Sequence, residues 1–280
     1  MKLISALLFL GFFSQAQGQY MFDEKFMTTA VLVDYKNGDF GSASFLADSL
    51  HVFLVTARHV IYIVDSTGKR TNKLHGDTAF VTTYSDNIGT DRQHKLTIDL
   101  KNLDRSGLIF SDSTRDVAVL WLADNHNGGI DYNDYVNTNE SRHLSVVQMS
   151  QIARAADVKY GMDIFFLGYP KSLRIITNQL ELNKPLLTRG IIAGKNSINQ
   201  TIILNAQVHH GNSGGPVWGA FPNEFKVIGI VTELIPFESE IFQNAKQVPN
   251  VGVFNNSDFS VVQPIDHIMA LLDLVRKKAH

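Results

Sequence analysis

What most limits the folds open to this 280-residue chain is a series of short runs rich in β-branched and aromatic residues, each closed off by turn-forming residues. The runs 28–33, 52–56, 79–84, 95–100, 117–122, 164–167, 173–177, 201–204, 227–232 and 259–262 are each too short for a stable helix and the right length for strands. Many short strands at regular spacing predict an all-β barrel or sandwich. One stretch departs from this. Across 264–278, Ile265, Ile268, Met269, Leu272 and Val275 recur at helical spacing. Pro264 suits a first helical turn, Asp266 stands near its N-terminus, and Arg276, Lys277 and Lys278 stand at its C-terminus, where they complement the helix dipole. The expectation is an all-β chain that ends in a docked α-helix.

Composition bounds the chemistry. Hydrophobic residues make up 44% of the chain, and at this length roughly 70 to 75% of the unfolded surface can be buried, so a substantial core is expected. The formal charge is 25 − 27 = −2, which supplies none of the clustered Lys and Arg that nucleic acids or anionic membranes demand, and neither partner is expected. With no cysteine, disulfides, thiolate zinc sites, iron–sulfur clusters and a cysteine nucleophile are excluded. No cofactor or metal is expected, and the chemistry falls to Ser, His and carboxylates.

The N-terminus reads as an export signal. Met1 and Lys2 lead into an apolar run at 3–13, followed by small residues through Ala16, Gln17 and Gly18. The run is 11 residues long; at about 1.5 Å per residue it falls well short of a hydrocarbon core about 30 Å thick. The expected protein is therefore cleaved after a signal peptide at 1–18, periplasmic or secreted, with no stable membrane insertion. The polar, glycine-bearing stretch 124–134 reads as a connection between two β lobes. A calcium loop fails there because His126, Gly128 and Tyr135 stand at ligand positions. The expected organisation is a first lobe at 19–125, a connection at 126–157, a second lobe at 158–263 and a helical end at 264–280.

Three segments carry the chemistry. Gly211-Asn212-Ser213-Gly214-Gly215-Pro216 surrounds one serine with glycines, which let backbone N–H groups aim at a developing oxyanion; Gly211 and Ser213 would supply those donors. In Thr56-Ala57-Arg58-His59-Val60, His59 directly follows an apolar strand that would hold its imidazole rigidly as a general base. Asp116 opens the apolar run Val117-Ala118-Val119-Leu120, where a carboxylate is costly unless hydrogen-bonded, and it could orient the histidine. Asp112 lies in a more polar setting. His51, His75, His94, His126, His143 and His280 read as surface residues, and His267 as part of the helix. His209 and His210 are adjacent in an extended segment, so they point to opposite sides and make a poor metal pair; His210 reads as a subsite residue.

The chain order His59, Asp116, Ser213 resembles that of trypsin-like serine peptidases, and the three segments are most similar to the HtrA-type periplasmic members. Leu167-Gly168-Tyr169-Pro170, residues 188–192 and residues 259–266 add weaker likenesses, so the resemblance spans about 26–275. It implies a chymotrypsin-like pair of antiparallel β-barrels with the site in their cleft. It also implies peptide-bond hydrolysis through a His59–Asp116–Ser213 triad and an acyl-enzyme, with a polypeptide substrate. By register with the family, Gln207 lies at the base of the primary pocket, and Thr232, Glu233 and Leu234 lie on the strand that pairs with substrate. Leu234 is expected to narrow the pocket for small or medium uncharged residues, and Glu233 to favour basic residues farther out.

Two departures stand out. The family's Gly-Ser/Thr-Gly-Phe appears as Gly41-Ser42-Ala43-Ser44-Phe45, which leaves that strand's register open, and the chain stops after its helix, without room for a PDZ module. Two other functions share these letters. One is a catalytically silent peptide-binding or sensor protein on the same fold. The other is an esterase that uses Ser213 in an α/β-hydrolase elbow, which would need strands alternating with helices.

Overall fold

The computed structural model describes residues 21–84, 88, 93–112, 114–126, 129–138, 144–171, 173, 180–181, 183–243 and 246–279. The expected leader, 1–18, and all but the first residue of the expected strand 173–177 lie outside them.

After a 3-10 turn at Glu24–Thr29 come β1 (Ala30–Asp34), β2 (Phe40–Ala47) and β3 (His51–Thr56), then the one-turn helix α1 (Arg58–Ile61). There follow β4 (Tyr62–Val64), β5 (Arg70–Leu74), β6 (Thr78–Tyr84), β7 (Gln93–Asp99), the helix α2 (Leu100–Arg105), β8 (Ile109–Asp112), β9 (Val117–His126), β10 (Gly129–Tyr132), β11 (Val136–Thr138) and β12 (Val147–Gln148). Ten of these strands make one sheet in the order β10-β9-β3-β2-β1-β6-β7-β11, with β8 on β9 and β12 on β2, while β4 and β5 pair separately. The second half contains β13 (Asp163–Gly168), β14 (Leu186–Asn196), β15 (Thr201–Asn205), β16 (Pro216–Phe221), β17 (Glu224–Gln243) and β18 (Lys246–Pro264). These close into an antiparallel barrel, β13-β14-β15-β18-β17-β16. The chain then enters α3 (Ile265–Ala279). Together they form a chymotrypsin-like, mostly β fold with a C-terminal helix.

Strand alternation splits the apolar residues among three clusters. Val31 and Val33 face the interior of the first sheet with Phe45, Leu54 and Leu96, and Ile164, Phe166, Leu204 and Val231 fill the barrel. The third cluster lies between them. Leu32, Phe53, Val55 and Val119 from the first sheet meet Phe165, Leu167 and Trp218 from the barrel, and Ile265, Ile268, Met269, Leu272 and Val275 of α3 all enter this cluster. The helical spacing of those five residues is thus the imprint of one buried face.

Several expected boundaries shift for local reasons. Thr28 and Thr29 belong to the 3-10 turn, where their hydroxyls donate to Lys25 O and Phe26 O at 2.8 and 2.6 Å, the local bonding by which Thr competes with a strand ladder. The run 95–100 loses Leu100 to α2 because the Asp99 carboxylate caps that helix through Asn102 N–H. Three short strands of the first sheet fall within the expected connection at 126–157. β9 continues to His126, β10 returns against it, and β11 and β12 pair with β7 and β2. Ile130 and Tyr132, two residues apart, pack on the first core while Gly129 and Asp131 are exposed, so a polar stretch still serves as a half-buried strand. The register of β2 is settled by Ala43 opposite Thr56. No helix among the described residues is long and apolar enough to cross a membrane.

Candidate active site

The buried strand β3 delivers Ala57 and Arg58, both buried, and then His59 on α1. A single helical turn cannot satisfy its own terminal carbonyls, and neighbouring residues take them up. His75 Nε2 lies 3.0 Å from His59 O, the Tyr35 hydroxyl donates to Val60 O at 2.8 Å, and His75 N–H donates to Ile61 O at 3.0 Å. His75, expected at the surface, is thus mostly covered and lies behind the candidate base, with Nδ1 2.8 Å from Asp39 Oδ2.

Asp116 is buried at the mouth of β9 and spends both oxygens on His59. Oδ1 accepts the His59 backbone N–H at 3.0 Å, and Oδ2 lies 2.6 Å from Nδ1. Since a carboxylate accepts, Nδ1 carries the proton in this contact. Burial pushes the Asp116 carboxyl up, but the hydrogen bonds and charge of His59 and the charge of Arg70 outweigh it and hold the group below the ordinary carboxylate value. Asp112 does something else: its carboxylate accepts from the backbone N–H of Thr114 and Arg115.

Ser213 stands in a tightly wired loop. Asn212 N–H donates to His209 O, Gly214 N–H to Val231 O, Gly215 N–H to Asn212 O, and Ser42 N–H to Ser213 O, at 2.7 to 3.0 Å. Gly211 and Gly214 have φ of 103° and 88°, in the region that favours glycine. A Cβ on Gly211 would lie 2.3 Å from Tyr169 O, and one on Gly214 would lie 2.0 Å from Ser42 O, so side chains are barred at both positions. The backbone N–H groups of Gly211 and Ser213 make no hydrogen bond among the described residues. The Ser213 hydroxyl donates to Thr232 O over a long 3.4 Å and makes no hydrogen bond to His59 among the described residues. The loop nonetheless abuts the histidine strand, since the Gly214 position lies against Thr56 and Ala57.

The expected substrate residues divide between surfaces. Gln207 is exposed in a shallow cavity with Asp163, Arg189 and Asp258. Glu233 lines a separate groove of roughly 660 Å³ with Arg70, Arg115 and Gln263, so its charge does not stand alone there. Thr232 is buried, Leu234 is half-buried against the barrel core, and His210 is exposed beside Gly211. Burial, reinforced by neighbouring His210, holds the His209 imidazole below its ordinary value. His126 is exposed as expected and His267 lies in α3 as expected, while two further surface readings, His51 and His94, need correction. His51, read as surface, is buried with Nδ1 3.4 Å from Asp48 Oδ1 and its ring edge-on to Trp121. His94 is also buried, and His267 Nδ1 bonds Gln263 Oε1 at 2.8 Å; His143 and His280 lie outside the described residues. Sequence reasoning gave no role to Ser42 and Tyr35 and read His75 as surface because their partners are backbone carbonyls of distant segments.

Comparison with known proteins agrees with this arrangement. Residues 41–230 match the family described as trypsin-like peptidase domain. Among solved structures, the chain is similar to Deg5, with a TM-score of 0.51 and 18% identity over 88% of both chains. It is also similar to a serine endoprotease from Yersinia pestis, with a TM-score of 0.51 and 16% identity over 91% of this chain and 65% of that one. These likenesses speak to the fold. No curated protein matches the chain by sequence.

Proposed function

The chain belongs to the trypsin-like peptidase family and is a serine endopeptidase, and we propose from this that it cuts peptide bonds through His59, Asp116 and Ser213 by way of an acyl-enzyme. The Ser213 hydroxyl rotates from the Thr232 carbonyl toward His59, gives its proton to Nε2 and attacks the scissile carbonyl carbon. The carbonyl oxygen becomes an oxyanion held by the Gly211 and Ser213 N–H groups. Asp116 stabilises the imidazolium, which returns its proton to the departing amine as the C–N bond breaks. Water then repeats the sequence on the acyl-enzyme, releasing the acid and restoring Ser213.

The observation that carries this reading is Asp116 binding both the ring and the backbone of His59 across 57 residues of sequence. Ser213→Ala or His59→Ala should lower kcat by several orders of magnitude on peptide substrates; either variant retaining more than a tenth of wild-type turnover refutes the assignment. The catalytically silent reading draws on one observation, the bond of Ser213 to Thr232 rather than to His59. Covalent labelling of Ser213 by a fluorophosphonate on folded protein selects the enzyme, and resistance to labelling selects the silent binder.

Two finer assignments belong to the same reading. Substrate lies along Thr232, Glu233 and Leu234 beside His210, with Gln207 at the base of the primary pocket; Gln207 and Leu234 carry no charge and favour an uncharged side chain, although Asp163, Arg189 and Asp258 stand in the same cavity as Gln207. Cleavage of a peptide library dominated by Lys, Arg, Asp or Glu at that position counts against it. The protein acts outside the cytoplasm after removal of a signal peptide at 1–18, and N-terminal sequencing of the exported protein should begin at Gln19; an intact Met1 refutes export by cleavage.

A further inference from the structure

We propose that Ser42 is a positioning residue that sets the oxyanion hole, an inference that rests on the serine peptidase reading above. Ser42 is fully buried on β2, where the first sheet meets the Ser213 loop. Its hydroxyl donates to Gly211 O at 2.6 Å and accepts Tyr169 N–H at 2.9 Å. Its backbone N–H donates to Ser213 O at 2.8 Å, and its own carbonyl accepts the Thr56 hydroxyl at 2.7 Å. One residue therefore holds the carbonyls of both residues whose N–H groups stay unpaired.

The chemistry of glycine makes this anchor matter. Glycine turns through positive and negative φ with little cost, so an unanchored Gly211 could swing its N–H out of the hole. At φ 103° its direction is set by what holds the neighbouring atoms, and the carbonyl held by the Ser42 hydroxyl is one such point. The Ser42 hydroxyl is itself oriented. The Tyr169 amide occupies its acceptor side, which leaves its proton for Gly211 O, and Thr56, one strand away, fixes the Ser42 backbone. This chain links β3, which leads to His59, through β2 to the loop that carries Ser213. The hydroxyl touches no reacting atom, so its effect is confined to the stage at which the oxyanion exists.

The test separates that stage from substrate binding. Ser42→Ala should lower kcat by about 10- to 100-fold, less than or equal to the loss of an oxyanion donor itself, with KM held within about twofold. Affinity for a peptidyl boronate, whose tetrahedral adduct with Ser213 places an oxygen in the hole, should fall by the same factor as kcat. Ser42→Thr, which keeps the hydroxyl, should recover most of the loss. If Ser42→Ala does not fold, Ser42→Cys keeps the side-chain volume with a weak donor and should show the same split between kcat and KM. Wild-type kcat in the Ala or Cys variant, or a loss confined to KM, overturns the proposal. Ser213→Ala run in parallel distinguishes the failures. If Ser213→Ala is inactive while Ser42→Ala matches wild type, only this inference fails; if Ser213→Ala is active, the underlying reading fails and this one with it.

Discussion

At the scale of single residues, the site is an exercise in making buried polar groups indispensable to one another. Asp116 gives up water and receives two bonds from one histidine, so removing either partner leaves the other stranded, and Asp116→Asn should lower kcat by about four orders of magnitude, as when the imidazole is left in the wrong tautomer. The same contact has a stability consequence with a definite sign. The folded carboxyl sits below its value of about 3.9 in an unfolded chain, so its contribution is fully present above about pH 4 and is lost as pH falls through the lower folded value. The gap in melting temperature between wild type and Asp116→Asn should therefore narrow below about pH 4, followed by circular dichroism; a gap that stays constant would refute it. The three candidate catalytic residues were legible because each sits in a short segment whose letters already state the need: glycines around a serine, a histidine after an apolar strand, an acid before one. Ser42 was not. Its hydroxyl answers a carbonyl 169 positions away, and nothing in Gly41-Ser42-Ala43 signals that distance. His75 was misread for the same reason, its polar neighbours in sequence giving no hint of the one-turn helix it caps.

At the scale of elements, periodicity was informative where one face is buried and silent where it is not. α3 could be read because Ile265, Ile268, Met269, Leu272 and Val275 line a single buried stripe. Its ends are fixed as well, with Asp266 accepting Ala155 N–H at 2.8 Å and Arg276 reaching Asp48 at 3.3 Å. β14 gave a weaker signal over its 11 residues, since Leu187 and Ile191 point to solvent and Arg189 and Lys195 interrupt the run; it holds its place by pairing with β13 and β15. Leu272 is fully buried in the shared cluster, and Leu272→Ala should cost about 2 to 5 kcal/mol from lost burial and the cavity left behind. Urea unfolding measures it, and a loss under 1 kcal/mol would show that the helix is not part of the core.

At the scale of the whole molecule, the cluster between sheet and barrel is what keeps the two halves of the site in register. His59 follows β3 on α1 and Asp116 immediately precedes β9, so the first sheet carries both, while Ser213 belongs to a loop of the barrel. With Phe53, Val119, Phe165, Trp218 and α3 in one apolar cluster, neither half can unfold without exposing the other's inner face. Calorimetry should show one transition with matching calorimetric and van't Hoff enthalpies; two resolved transitions would contradict the shared cluster. That cluster also has a cost counted in time. Phe26 packs on Trp218 with tilted rings and centroids 4.4 Å apart although 218 − 26 = 192 positions separate them, and the helix that completes the same layer follows the barrel strands. Contacts of such long range close slowly, so the apolar faces of sheet and barrel stay uncovered until the two halves meet. Sticking to other chains competes with folding during that interval, and the layer that aligns His59, Asp116 and Ser213 cannot be complete until it has passed.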